Sequence, residues 1–252
     1  MMKTLALKSV SKQFGGVEAV KRLTMDVPSG KIVGLIGPNG AGKTTVINMI
    51  AGLLAVTDGR IVFGEDDITE MVPYKIAQKG IARTFQNVRL LKEMSVLDNI
   101  MVGFHRKLKG PIIAALLGFR GSYRQEGELR RQAESLLSEF GMRTYARHEA
   151  SALPYGHQRL VEIMRALALG PEVLLLDEPV AGMTDTEAEE LAIIFRKLRD
   201  QGLGILLIEH NMTFVMNLCD EIYVINHGEL IAQGSPELIQ RDSRVVEAYL
   251  GD

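Results

Sequence analysis

Nine consecutive residues near the N-terminus have the types and the spacing of a loop that binds phosphate groups. They follow the apolar run Ile32–Ile36, fit the pattern G-x-x-x-x-G-K-[ST], and are Gly37, Pro38, Asn39, Gly40, Ala41, Gly42, Lys43, Thr44 and Thr45. Glycine lets the backbone curl so that its N–H groups point at phosphate oxygens. The lysine can reach the β- and γ-phosphates, and the threonine after it can ligate Mg²⁺. A helix predicted over 44–51 would face the anion with its N-terminus. A turn that binds nothing is the weaker interpretation, and we expect a nucleotide site.

Two acidic residues follow a fully apolar run in the C-terminal half. Residues 173–176 are Val-Leu-Leu-Leu, typical of a strand that is buried on both faces, and Asp177 and Glu178 come next. Beside a phosphate loop, Asp177 would hold Mg²⁺, directly or through water. Glu178 is placed to polarise an attacking water. The alternative is an acidic cap of the following helix.

Three further side chains lie in or directly after predicted strands. The amide of Gln86 can contact both Mg²⁺ and water, and His210 can hydrogen-bond a γ-phosphate while holding the water and Glu178 in place. Phe14 either stacks on adenine or fills the core of its sheet. Each residue alone is a weak signal. Ligands of parallel sheets, however, sit beyond the carboxyl ends of the strands, where a single site can collect most of these groups.

Strands and helices alternate along the chain, which predicts an α/β fold with a mainly parallel sheet. Strands are predicted over residues 5–14, 23–27, 32–36, 59–63, 81–85, 173–176, 204–208, 221–226 and 229–233. Between residues 87 and 158 the strand signals vanish and helical spacing replaces them. One helix face there carries Leu129, Ala133, Leu136, Leu137 and Phe140. Further helices are predicted over 73–79, 158–169 and 244–250, and around 191–198. We therefore expect a helical insertion at about 87–158 within a single domain, 1–252.

Composition and charge limit the classes of protein to which the chain can belong. The chain has 252 residues, 46% hydrophobic and 24% charged, with a net charge of −2. Because the net charge is slightly negative, the chain has no basic field that would indicate nucleic acid as its main partner. One cysteine, Cys219, excludes an internal disulfide. The longest apolar run, 111–119, is far short of the roughly 20 residues that a transmembrane helix needs. We expect a chain that is soluble by itself and that can still dock on a membrane protein.

As a set, these motifs resemble the nucleotide-binding subunit of an ATP-binding cassette (ABC) transporter, and the likeness covers the whole chain. The phosphate loop matches Walker A, residues 174–178 match Walker B, Gln86 matches the Q-loop and His210 the switch histidine. Residues 153–159 match the signature loop, 181–184 lie where the D-loop lies, and Phe14 takes the A-loop place, which favours adenine stacking. The resemblance implies a P-loop NTPase fold of the ABC ATPase type. It has a mainly parallel RecA-like core sheet, an antiparallel β subdomain and an inserted helical subdomain.

The resemblance also implies how the site works. Two such subunits close head to tail, so that ATP lies between the Walker A loop of one chain and Pro154, Tyr155 and Gly156 of the other. The resemblance assigns catalysis to Glu178, His210, Gln86 and Lys43. It assigns Mg²⁺ binding to Thr44, Gln86 and Asp177. Closure rearranges membrane subunits, and hydrolysis resets them. The chain would therefore be a transport-coupled ATPase with ATP and Mg²⁺ as its cofactors.

Within the family, the chain looks most like the ATP-binding component of bacterial high-affinity importers of branched-chain amino acids. The features are Phe14-Gly15-Gly16, residues 83–90, the Pro-Tyr-Gly signature variant, the long insertion before it, and the ending 245–251. The implied partners are a second ABC ATPase, as a heterodimer or alternatively a homodimer, two integral membrane permeases, and a periplasmic binding protein reached through the permeases. The implied location is the cytoplasmic face of the inner membrane, peripherally bound.

The chain departs from the family pattern at the signature loop and at the D-loop. Where the usual signature is Leu-Ser-Gly-Gly-Gln, this chain has Pro154 and Tyr155 in place of Ser and Gly, and His157 in place of Gln. Pro154 offers neither a hydroxyl nor an N–H, so a composite site that borrows it should be slower. The open alternatives are an ATPase subunit for another substrate (another amino acid, urea or a lipid), a non-transport ABC ATPase, and an ATP-binding switch.

Overall fold

The computed structural model describes residues 3–84, 89–104 and 120–250. The chain divides into two compact units. The first unit comprises Met1–Arg83, Glu172–Pro179 and Ala188–Asp252, and the second comprises Thr84–Pro171 and Val180–Glu187. Each unit is described by itself.

All ten strands of the described residues belong to the first unit. In chain order they are β1 (Thr4–Phe14), β2 (Val17–Pro28), β3 (Ile32–Ile36), β4 (Asp58–Phe63), β5 (Asp66–Asp67), β6 (Ile81–Arg83), β7 (Val173–Asp177), β8 (Gly204–Ile208), β9 (Glu221–Asn226) and β10 (Glu229–Gly234).

Nine α-helices lie in the described parts of the chain. They are α1 (Lys43–Ile50), α2 (Pro73–Lys79), α3 (Val96–Gly103), α4 (Arg120–Glu139), α5 (Tyr155–Ala168), α6 (Asp185–Asp200), α7 (Met212–Leu218), α8 (Pro236–Arg241) and α9 (Ser243–Leu250). Two short 3-10 turns, Arg143–Tyr145 and Ala150–Ala152, precede α5.

The larger sheet has six strands in the order β10-β9-β3-β8-β7-β6. Every neighbouring pair is parallel except the hairpin of β9 and β10, as the sequence predicted. All residues of β3, β7 and β8 are buried, which explains why these strands are almost wholly apolar. The carboxyl ends of these three strands lead into the phosphate loop, into Glu178 and towards His210.

The smaller sheet is antiparallel, with strand order β2-β1-β4-β5. It shares one hydrophobic core with α1 and β3, formed by buried side chains that include Leu5, Leu23, Ile47, Ile50 and Leu35. This core packs the helix that follows the phosphate loop against both sheets, so burial of apolar surface fixes the position of the loop.

The second unit is helical in its described part. The Ser95 hydroxyl caps α3 by accepting the N–H of Asp98. Helices α3 and α5 approach closely at Gly103, where a Cβ would come 2.3 Å from the carbonyl oxygen of Arg165. The predicted apolar face of α4 is confirmed, with Leu129, Ala133 and Leu137 buried. In the described residues, no helix combines the length and the apolar character needed to cross a membrane.

The structure corrects several predicted boundaries. Helix α5 begins at Tyr155, whereas the sequence predicted a start at Gln158, because Pro154 serves as its N-cap in an extended conformation. Helices α7 and α8 were not predicted, since each is a short segment of six or seven residues with little periodicity. Strand β6 ends at Arg83, and the predicted continuation to residue 85 reaches outside the described residues.

Candidate functional site

The phosphate loop requires glycine at two positions for steric reasons. Gly37 has a φ of 150°, and a Cβ there would lie 1.9 Å from the carbonyl oxygen of Ile225. Gly42, the N-cap of α1, has a φ of 106°, and a Cβ would come 2.5 Å from the carbonyl oxygen of Ala19. By contrast, Gly40 has a φ of 78° with open space around it. The loop therefore fits tightly between β2 and β9 at both ends and is open at its tip.

Lys43 is the first residue of α1, and its side chain points back into the loop. Its Nζ donates to the carbonyl oxygens of Gly37 at 2.6 Å and of Pro38 at 2.8 Å. The residue is only 6% exposed. Burial lowers the pKa of Lys43, while the carboxylates of Glu178 and Asp177 act in the opposite direction. The position suits a cation that binds phosphate at a helix N-terminus.

Asp177 ends β7 and is almost completely buried, at 1% exposure. The guanidinium of Arg83 on the neighbouring strand β6 lies 3.4 Å from its Oδ2. Arg83 also donates to the side-chain oxygen of Asn48 on α1 at 2.5 Å. Arg83 begins the family-like segment 83–90, but nothing in its spacing indicates a partner 94 positions away.

Glu178 and His210 lie in contact with each other. Nε2 of His210 is 3.0 Å from Oε1 of Glu178, within hydrogen-bonding distance. Glu178 adopts a φ of 52°, a left-handed conformation that a non-glycine residue rarely takes, and its N–H bonds the carbonyl oxygen of Ile208. Such backbone strain is concentrated at functional sites. Two of the four residues to which the resemblance assigns catalysis are thus in contact with each other.

A buried acid that the sequence analysis missed positions the backbone of His210. The carboxylate of Glu209 accepts the N–H of His210 at 3.0 Å and that of Asn211 at 3.4 Å, and the residue is 4% exposed. The side chain of Asn211 in turn caps α7 by accepting the N–H of Phe214. The sequence signal that could have identified Glu209 is an acidic residue between an apolar strand and an asparagine that caps a helix.

Phe14 ends β1 and faces solvent. Its side chain is 46% exposed, so the interpretation as core filling is wrong. Nζ of Lys12 lies 5.0 Å from the centre of the ring. Phe14 pairs with Val17 in the β1–β2 hairpin, which leads directly to Ala19 beside Gly42. Stacking on adenine stays a prediction that this exposed position suits.

Two C-terminal segments also contact the phosphate loop. In the turn between β9 and β10, the N–H of Gly228 bonds the carbonyl oxygen of Ala41 at 3.1 Å. On α9, burial raises the pKa of Tyr249 to about 12, while the nearby backbone of Gly37 acts in the opposite direction. The phenol therefore stays neutral at physiological pH. Sequence spacing gave no indication of either contact.

The signature residues Pro154, Tyr155 and Gly156 lie in the second unit at the N-terminus of α5. The N-cap residue Pro154 makes no side-chain hydrogen bond to this terminus, and the N–H of Gly156 lies in the first turn, where backbone donors of helix starts can bind anions. The loop thus offers backbone donors, although Pro154 itself provides none.

The departures in the signature loop and the D-loop fit each other. Gly182 has a φ of 75°, and a Cβ there would come 3.0 Å from the ring of Tyr155. Glycine at this D-loop position therefore leaves room for the tyrosine. Thr184 and Glu187 then form a capping box, in which the carboxylate accepts the N–H of Thr184 at 2.8 Å and the threonine hydroxyl accepts the N–H of Glu187 at 3.3 Å.

The donors that the site offers are suited to a nucleotide with Mg²⁺. No cluster of three or more His, Cys, Asp or Glu side chains that could hold a metal occurs among the residues that the structure describes. Mg²⁺ commonly binds through one or two protein oxygens plus substrate phosphates and water. The buried carboxylate of Asp177 and the exposed hydroxyl of Thr44 at the start of α1 are such oxygens. Gln86 lies outside the described residues.

Comparisons with known proteins identify relatives along the whole chain. The family described as "ABC transporter" matches residues 20–181, and the family described as "Branched-chain amino acid ATP-binding cassette transporter" matches residues 229–252. The high-affinity branched-chain amino acid transport ATP-binding protein LivG of Salmonella typhimurium is 41% identical over 249 residues, which are 98% of each chain.

A further curated protein and a solved structure are also similar to the chain. The lipopolysaccharide export system ATP-binding protein LptB of Escherichia coli is 36% identical over 251 residues, 100% of this chain and 98% of LptB. Among solved structures, the ADP conformation of MJ1267, an ATP-binding cassette of an ABC transporter, is similar with a TM-score of 0.85. It is 32% identical, and the match covers 100% of both chains.

Proposed function

The chain belongs to the ABC transporter family, and we propose that it is the ATP-hydrolysing subunit of an importer for branched-chain amino acids. The proposal that the chain hydrolyses ATP is supported by the contact of Glu178 with His210 at 3.0 Å. This contact lies beyond the same sheet edge as the phosphate loop. The substrate class rests on the 41% identity to LivG and on the C-terminal family match. A lipid-related exporter is the second candidate, because LptB is 36% identical over the whole chain.

In the proposed reaction, Lys43 exchanges the loop carbonyls for phosphate oxygens of ATP. Glu178 accepts a hydrogen bond from the attacking water, and His210 keeps that carboxylate oriented towards it. Thr44, Asp177 and Gln86 would hold Mg²⁺, which neutralises charge on the phosphates during transfer. Phe14 stacks on the adenine ring.

We propose that two ATPase chains pair head to tail and that the partner of this chain is a different ATPase. Pro154 removes up to two γ-phosphate donors, and each such donor is worth roughly 2.7–4 kcal/mol at a transition state. A site completed by the signature of this chain is therefore the slower one. Two permeases bind the pair at the cytoplasmic face of the inner membrane, with residues 87–158 as the inserted helical subdomain, and a periplasmic binding protein delivers the substrate.

ATP hydrolysis by the purified chain tests this pairing. We expect the chain alone to bind ATP but to hydrolyse it slowly at every protein concentration. Adding an ATPase subunit that has the regular Leu-Ser-Gly-Gly-Gln signature should raise the rate about a hundredfold or more, because that partner restores the missing donors. Phosphate release, measured against the concentration of each chain, gives the comparison.

The matched control is the triple variant Pro154→Ser, Tyr155→Gly, His157→Gln, which restores the usual signature in this chain. Its rate alone should rise faster than linearly with its own concentration, since two copies would form complete sites. A steep concentration dependence of the unsubstituted chain, with no further gain from the second ATPase, would contradict the proposed heterodimer.

A further inference from the structure

Arg83 links two elements that carry proposed Mg²⁺ ligands. It ends β6, where it pairs with Leu175 of β7, two residues before Asp177. One arm of its guanidinium, Nη2, lies 3.4 Å from Oδ2 of Asp177, and the other arm, Nη1, donates to Oδ1 of Asn48 at 2.5 Å. The side chains of Arg83 and Asp177 are 10% and 1% exposed. The pair is therefore largely shielded from water.

Asn48 lies on the same helix as Thr44, another proposed Mg²⁺ ligand. The two are four residues apart on α1, a spacing that places side chains on one helix face. The guanidinium thus spans from the helix that carries the threonine hydroxyl to the strand that carries the carboxylate. This is the place where a divalent cation would sit if both ligands held it.

We propose that Arg83 competes with Mg²⁺ for the carboxylate of Asp177 and is a positioning residue for the metal site; this inference rests on the proposed Mg²⁺ role of Asp177. A buried carboxylate needs a compensating cation, and Arg83 supplies one. Arginine offers donors only and cannot ligate a metal. A cation that approaches Asp177 therefore meets a positive charge that it must displace or share.

The competition has a functional consequence. Mg²⁺ arriving alone would gain only the few side-chain oxygens that the protein offers, which does not offset the displacement of Arg83. Mg²⁺ arriving with a nucleotide brings phosphate oxygens that add to its coordination and can also attract the released guanidinium. Arg83 thus makes the site take Mg²⁺ together with nucleotide rather than before it, and keeps Asp177 in place until then.

Binding of ADP with and without Mg²⁺ tests the proposal without any activity measurement. The dissociation constant of ADP is measured by calorimetry in excess EDTA and in saturating Mg²⁺. The constant in EDTA divided by the constant in Mg²⁺ is the ratio that is compared between the unsubstituted chain and its variants. In Arg83→Gln, metal-free ADP should bind more weakly, because the Asp177 carboxylate has lost the guanidinium beside it, and Mg²⁺ should strengthen ADP binding more. We expect the ratio to rise at least about tenfold. An unchanged or smaller ratio would overturn the proposal.

Two variants separate charge from packing. Arg83→Lys keeps the positive charge and should leave the ratio within about threefold of the unsubstituted value. Lys79→Gln removes one positive charge from an exposed pair with Asp66 at 2.7 Å, and should leave the ratio unchanged. If Arg83→Lys raised the ratio as much as Arg83→Gln does, the guanidinium would act only as a brace and the competition would be refuted.

Folding of the variants provides a second readout. If Arg83→Gln is too unstable to purify, the double variant Arg83→Gln, Asp177→Asn tests the pairing, because it also removes the negative charge that Arg83 faces. Recovery of a cooperative melting transition supports the pairing, and continued failure contradicts it. If Mg²⁺ does not strengthen ADP binding to the unsubstituted chain, the proposed metal role itself fails. A normal Mg²⁺ effect with an unchanged ratio in Arg83→Gln overturns only the role of Arg83.

Discussion

Replacing Glu178 by glutamine is expected to lower the rate of ATP hydrolysis by roughly 10²–10⁴-fold, the usual contribution of a general base. The amide keeps the size of the side chain and can still contact His210, but it cannot accept a proton from water. ATP binding should be unaffected, because Lys43 and the loop remain. Single-turnover hydrolysis and ATP affinity, measured on the active assembly, separate the two effects.

The control for this variant is Glu190→Gln, on the exposed face of α6. It makes the same chemical change away from the phosphate loop and should hydrolyse ATP at the unsubstituted rate. His210→Ala should also slow hydrolysis, because the carboxylate at 3.0 Å loses the group that orients it. Unchanged turnover in Glu178→Gln would contradict the proposal that Glu178 is the general base.

Replacing Gly37 by alanine is expected to abolish nucleotide binding. The added Cβ would lie 1.9 Å from the carbonyl oxygen of Ile225, so the loop or β9 must move. The backbone at a φ of 150° adds strain, on the order of 1–3 kcal/mol. The loop would then lose the arrangement of N–H groups that faces phosphate. Titration with a fluorescent ATP analogue measures the loss, and thermal melting reports whether the first unit stays folded.

Gly40→Ala is the matched comparison within the same loop. Its φ is also positive, at 78°, but the added Cβ would meet nothing within 4 Å. Only the cost of the left-handed conformation remains, roughly 1–2 kcal/mol, so binding should weaken about tenfold rather than disappear. Equal losses in the two variants would show that steric contact with β9 does not control the loop.

Most strands and the order of the site residues could be predicted because each depends on local sequence; β5 and the first half of β2 were not predicted. A strand buried on both faces needs an apolar run, which is why β3, β7 and β8 were recognised. Helix α2 has the predicted bounds because Pro73 starts it and Gly80 ends it in a left-handed conformation. These signals lie within a few residues of the element that they define.

The contacts that the sequence did not reveal join distant parts of the chain. Arg83 reaches Asp177, and the N–H of Gly228 reaches the carbonyl oxygen of Ala41, through the fold and not through spacing. Such pairs form because buried charges and backbone groups must find partners once strands are placed side by side. The early start of α5 was missed for a local reason, since the N-cap residue is Pro154 and not one of the usual capping residues.

The most direct test of the proposed function is uptake of radiolabelled leucine by proteoliposomes. The vesicles would hold this chain with its permeases and second ATPase, the leucine-loaded binding protein would be added on the opposite face, and ATP would be supplied on the face of this chain. We expect uptake that requires ATP and that falls by at least about a hundredfold with Glu178→Gln. Uptake that persists in that variant, or an assembly that moves a lipid and no branched-chain amino acid, would contradict the account.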